Sequence, residues 1–126
     1  MNLALKVICG FYAALMVFMG VNWWFSFATM SESQGISALS AMGQNNLTAD
    51  LGALFFGTAI IIALGLRAGR SYWLMSAAVL MLVAAAGRVY SYATIGYEPA
   101  TLMPLIFEIA SASILWFAHV KLSQPE

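Results

Sequence analysis

Four apolar windows, at 7–25, 47–66, 72–92 and 102–120, govern what this chain can become. Each holds about 20 residues, the length an α-helix needs to cross ~30 Å of hydrocarbon. Three of them carry one charged residue each: Asp50, Arg88 and Glu108. Interrupted apolar runs of this kind also occur as buried helices of soluble folds, and composition decides between the two. Apolar residues make up 63% of the chain and charged residues 8%, against about half and about a quarter in soluble domains. A compact soluble fold of 126 residues has too much surface for its volume to hide that apolar area. No window keeps a polar face to meet water. The expected fold is all-α, a single-domain integral membrane four-helix bundle with short connections.

The connections set the orientation. Lys6, Arg67, Arg70 and Lys121 fall on one side of a chain that crosses four times, and Glu32 and Glu98 on the other. Lys and Arg accumulate on the cytoplasmic side, so both termini are expected there. Trp23, Trp24, Tyr92 and Tyr97 then mark the outer edge, with Trp73 and Trp116 toward the inner one. The first window is expected to remain as an anchor. Lys6 precedes it and Ser26-Phe27-Ala28 resembles a signal cleavage site, but the apolar run exceeds a leader's 7–15 residues.

Between 67 and 71 the connection is short enough only for antiparallel neighbours, with Gly69 suited to its turn. Between 28 and 45 it is longer. There Ile36, Leu39 and Met42 recur at three-residue spacing, which predicts a short surface helix between the first and second spans. Asn46 is the expected N-cap of the second span, and Pro104 suits the first turn of the fourth.

Depth then singles out a layer of polar residues. Counted from the outer ends of the four windows, Asn22, Asp50, Arg88 and Glu108 lie about 5–9 Å below the interface, one from each helix. Ionisable groups at bilayer depth face a bundle interior and pair. Arg88 balances one carboxylate of the two; the other is expected to be protonated, with Glu108 the deeper candidate, or else to face an outward-opening cavity with water. These four residues are the candidate ligand or proton site. The alternative is structural: a macrodipole effect for Asp50 in a first turn, a snorkelling Arg88 and an ion-pair network that serves assembly alone. Ala53 and Gly57, then Ala77, Ala84 and Ala85, then Ser111 and Ala112 are the small residues expected to let the helices approach around this layer.

The remaining chemistry is sparse. His119 beside Lys121 suits a helix C-terminus. One histidine and one cysteine, Cys9, make a poor ligand set for a metal. There is no nucleophile–base motif, phosphate-binding glycine loop or cofactor fingerprint, so no cofactor is expected. Net charge is zero with no basic run, which gives no footprint for nucleic acid.

Asn46 followed by Asp50-Leu51-Gly52, then Gly87-Arg88, then Glu108 in the last span, resembles the small bacterial four-helix membrane proteins grouped with the DoxX-like families. The resemblance implies a four-helix bundle in the bacterial cytoplasmic (inner) membrane and transfers no established activity. DoxX itself is linked to thiosulfate and quinone chemistry, and no residue here would carry that role. Three function classes stay open. One is an accessory or binding subunit holding membrane lipid, a quinone or lipid-like ligand, a membrane-protein partner or a second copy. The others are a small proton-coupled transporter and a membrane enzyme acting on a lipid-like substrate.

Overall fold

The computed structural model describes residues 2–124. Among them are four long apolar helices, α1 (Asn2–Phe25), α3 (Ala41–Gly65), α4 (Tyr72–Thr94) and α5 (Leu102–Leu122), with a short α2 (Phe27–Ser33) after the first. A 3-10 turn, Pro99–Thr101, leads into α5. The fold is all-α, as the windows require. Only 22–28% of the most apolar stretch of each long helix is buried, so most of its apolar surface faces outward. Phe11, Phe18, Phe25, Ile60, Val83 and Tyr90 are each at least 60% exposed. Outward apolar surface on that scale is stable against lipid and not against water. The hydroxyls inside these helices follow the same rule. Thr58, Ser111 and Ser113 donate to the carbonyls of Leu54, Phe107 and Ile109 at 2.6, 2.6 and 2.8 Å, each satisfied within its own helix.

The short helix exists, at a different place from the one the spacing predicts. Ser26 leaves helical values (φ −135, ψ 43), yet its N–H still reaches Asn22 O at 2.8 Å. α2 is therefore a bent continuation of α1, and the Trp23 and Phe27 rings pack edge-on across the bend at 5.8 Å. Its end is set by Gly35 at φ 65. Gly35 N–H bonds Glu32 O and Ile36 N–H bonds Ser31 O, the paired bonds of a Schellman stop, which needs a residue that tolerates left-handed backbone. Ile36 and Leu39 lie outside any helix, and Met42 belongs to α3.

The second span also starts earlier than its hydropathy window. Ser40 Oγ accepts from the Gly43 N–H at 3.1 Å, an N-cap that opens α3 at Ala41. Asn46 is inside the helix and caps nothing. Asp50 is nine residues past Ala41, well beyond the first turn where the macrodipole would favour it. α1, α4 and α5 likewise extend past their windows, by five, two and two residues.

By its internal packing the chain divides into two compact units, one comprising 11–60 and the other 1–10 with 61–126. In the 11–60 unit, Met16, Gly20 and Trp23 are the buried face of α1, and Gly52, Thr58 and Ala59 are buried on α3. Two glycines make the helix contact. A Cβ on Gly20 would stand 2.9 Å from the Phe56 ring, and one on Gly52 would run into Trp24 Nε1. Each helix thus offers a glycine to an aromatic ring of the other. The Trp24 indole donates to Thr48 O at 3.1 Å and packs edge-on against Phe56 at 4.7 Å. The small pair expected to lie inside is not there: Ala53 is exposed, and a Cβ on Gly57 would meet nothing within 4 Å.

In the other unit, α4 and α5 form an antiparallel pair. α4 buries Leu74, Ala77, Ala78, Met81 and Ala85, and α5 buries Glu108, Ser111, Ala112, Leu115 and Ala118. Both stripes step by three and four residues, the spacing of one helix face. They consist mostly of small side chains, which bring the backbones close.

Candidate functional site

The α4–α5 hairpin fixes the site. Glu98 accepts from the Ala100 N–H at 3.3 Å and begins the 3-10 turn. Thr101 Oγ1 donates to Glu98 O at 2.7 Å, so its oxygen is left to accept from Tyr92 OH at 2.8 Å. Tyr97 packs edge-on against Tyr92 at 5.2 Å. These ties lock the register of the two helices. Arg88 lies six residues before the end of α4 and Glu108 six residues after the start of α5, so the lock brings both to the same depth, ~9 Å along each helix.

There they meet. Arg88 Nε donates to both carboxylate oxygens of Glu108, at 2.8 and 2.9 Å. Glu108 is 8% exposed, while the Arg88 side chain keeps 34% of its surface open. An arginine has five N–H donors in a planar fork, and this pairing uses the single one on Nε. The four donors on Nη1 and Nη2 make no hydrogen bond within the unit, among the described residues. The pair is neutral as a whole, buried at the acid and open at the outer rim of the guanidinium. Such a fork suits an oxygen acceptor, whether carbonyl, ester or phosphate.

The other two candidates belong to the 11–60 unit. Asn22 is half-buried, and its Nδ2 donates to Phe18 O at 2.8 Å. That bond commits one of the amide's two N–H donors inside its own helix. Asp50 is exposed on α3 and makes no hydrogen bond or ion pair within its unit. The structure therefore brings Arg88 and Glu108 together and shows Asn22 turned back on α1. Arg88 is committed to Glu108, and Asp50 has no ion-pair partner within its unit. Counted along their own helices, Asn22 is three residues from the end of α1 and Asp50 nine from the start of α3. Arg88 and Glu108 are level with each other within their own helix pair.

Two further features have no counterpart in the sequence pattern: a concavity beside Trp24 and the unpartnered Nδ1 of His119. A concavity of about 530 Å³ opens beside the Trp24 lock, lined by Trp24, Ala41, Gln44, Asn45, Thr48 and Ala49. It depends on α3 beginning at Ala41, which puts Gln44 and Asn45 on the helix; Ser40 was the available signal. His119 stands in the last turn of α5 with Lys121, edge-on to Trp116 at 6.4 Å. Its Nδ1 is buried and has no hydrogen-bond partner among the described residues.

Fold and site together define a multi-pass integral membrane protein with four spans. No protein-family model, curated protein or solved structure matches the chain. The DoxX-like resemblance accordingly rests on its short motifs alone.

Proposed function

We propose that this chain is an accessory membrane subunit that binds a lipid-like ligand, a quinone or phospholipid, through Arg88. The observation that carries the reading is a guanidinium with one of its five donors in use. Glu108 holds Nε and supplies the counter-charge, and four donors remain about a quarter of the way into the helix pair. A ligand oxygen accepting from Nη1 and Nη2 would take a bidentate, charge-assisted hydrogen bond. Transport sites sit near the bilayer midplane, and this pair lies nearer one face, which favours binding over transport.

The test is ligand retention. Arg88→Lys keeps the charge and removes the planar fork, and Glu108→Gln frees Nε from its pin. Protein purified from the host membrane at matched thermal stability should lose co-purified quinone or phospholipid in both variants. Ligand content equal to wild type in both would leave the pair as a structural bridge.

The reading includes an orientation: both termini in the cytoplasm of a bacterial host, with the Arg88 site toward the outer face of the inner membrane. Its support is the placement of Lys6, Arg67, Arg70 and Lys121 against Glu32 and Glu98. In a Cys9→Ala background, Ser37→Cys should react with an impermeant maleimide on intact cells, and Ser123→Cys only after lysis. The reverse pattern would invert the topology.

A further inference from the structure

The α4–α5 pair carries a second feature, at the opposite end from Arg88 and Glu108. A groove of about 500 Å³ runs along its outer surface, lined by Leu82, Ala112, Ser113, Trp116, Phe117 and Val120. Small residues create it. Ala112 is buried at its floor, while Leu82, Trp116, Phe117 and Val120 stand 40–50% exposed around it. Its one hydroxyl is already committed, because Ser113 Oγ donates to Ile109 O at 2.8 Å. The lining is therefore apolar in effect. From Ala112 to Val120 its lining extends ~12 Å along α5, a length that suits part of an acyl chain.

Charge identifies the occupant. Lys121 is the next residue after the groove's last lining position, and its Nζ stands 5.7 Å from the centre of the Phe117 ring. That cation–π contact holds the ammonium on the groove's own side of the helix. Arg67 and Arg70, in the turn that leads into α4, belong to the same end of the antiparallel pair. No acid occurs between 61 and 81 or between 109 and 124. We propose that the groove is a binding site for an anionic glycerophospholipid, with one acyl chain along Ala112–Ser113 and the headgroup phosphate at Lys121. A zwitterionic lipid would fill the same trough and offer the same phosphate, but its own ammonium would offset the attraction to Lys121, so selectivity is carried by the headgroup's net charge at that residue. Trp116 adds an amphipathic ring at the level where chain gives way to headgroup.

Full-length protein in micelles is titrated with phosphatidylglycerol or with phosphatidylcholine of the same acyl chains, and bound lipid is counted by native mass spectrometry. Wild type should retain phosphatidylglycerol about fivefold better, the preference one basic residue confers near an anionic headgroup. Lys121→Gln should bring the two lipids close to parity. Ser113→Leu, which fills the trough on an exposed helix face, should lower retention of both. Three results would overturn the site: no preference in wild type, an unchanged preference in Lys121→Gln, or unchanged retention in Ser113→Leu. In the second case Arg67 and Arg70, or Arg88 at the other end of the pair, would be attracting the anionic lipid without the groove. In the third, a dimer band on cross-linking would show a second copy seated there.

Discussion

Arg88→Met should cost about 3 kcal/mol of stability, the lower end of the ~3–5 kcal/mol range for breaking a buried ion pair. The charge that causes the loss is the one left behind. Glu108 is 8% exposed and both of its oxygens depend on Arg88 Nε, so the variant strands a carboxylate at bilayer depth. The lower end applies because the Arg88 side chain is 34% exposed and partly solvated or headgroup-screened already. Adding Glu108→Gln to Arg88→Met should recover a large share of the loss, since it removes the unpaired charge and leaves an amide of the same shape. Arg88→Lys should fall between wild type and Arg88→Met: it restores the charge without the fixed donor geometry. Thermal unfolding in a single detergent, followed by near-UV circular dichroism, would measure all four proteins. If the double variant were no more stable than Arg88→Met, the loss would come from the missing arginine stem and its packing, and the stranded-charge account would fail.

That pairing was readable in the sequence for a physical reason. The α4–α5 connection is short and rich in ordering residues, so counting from its two sides reaches Arg88 and Glu108 with the same error. Tyr92, Glu98 and Thr101 then hold the register that the count assumes. α1 and α3 are tied by the Trp24 indole on Thr48 O, but across a much longer connection. Seven helical residues and a seven-residue connection lie between Ser26 and Ala41, and the start of α3 is set by the Ser40 hydroxyl. Hydropathy misses that start because Gln44, Asn45 and Asn46 dilute the first turns of a real helix. α3 therefore begins six residues before its hydropathy window. α2 was misplaced for a similar reason. Apolar spacing at Ile36, Leu39 and Met42 imitates a helix face, whereas the local stop signal is a glycine, Gly35, that spacing cannot register. The existence of four long helices needed none of this detail, because length and apolarity alone carry it.

Gly52→Ala should destabilise the protein by about 1–3 kcal/mol, although alanine is the better helix former. The helix-propensity gain of ~1 kcal/mol is opposed by a methyl group placed on the Trp24 indole. The ring has little room to adjust in place, since its N–H is bonded to Thr48 O and its face meets the edge-on Phe56. It is, however, 51% exposed, so it can swing outward and leave both contacts. The expected state is thus a displaced Trp24 and a separated α1–α3 contact, not an unfolded chain. Gly57→Ala supplies the contrast. It lies five residues further along the same helix, where a Cβ meets nothing within 4 Å, and it should be neutral or stabilising by up to ~1 kcal/mol. Replacing Trp24 by Phe removes the clashing nitrogen and the bond to Thr48 together. Gly52→Ala should then cost much less in that background than in wild type, a coupling that a double-mutant cycle would read directly. Equal costs in the two backgrounds, or equal effects of alanine at positions 52 and 57, would mean that the indole does not rest on Gly52 in the folded protein.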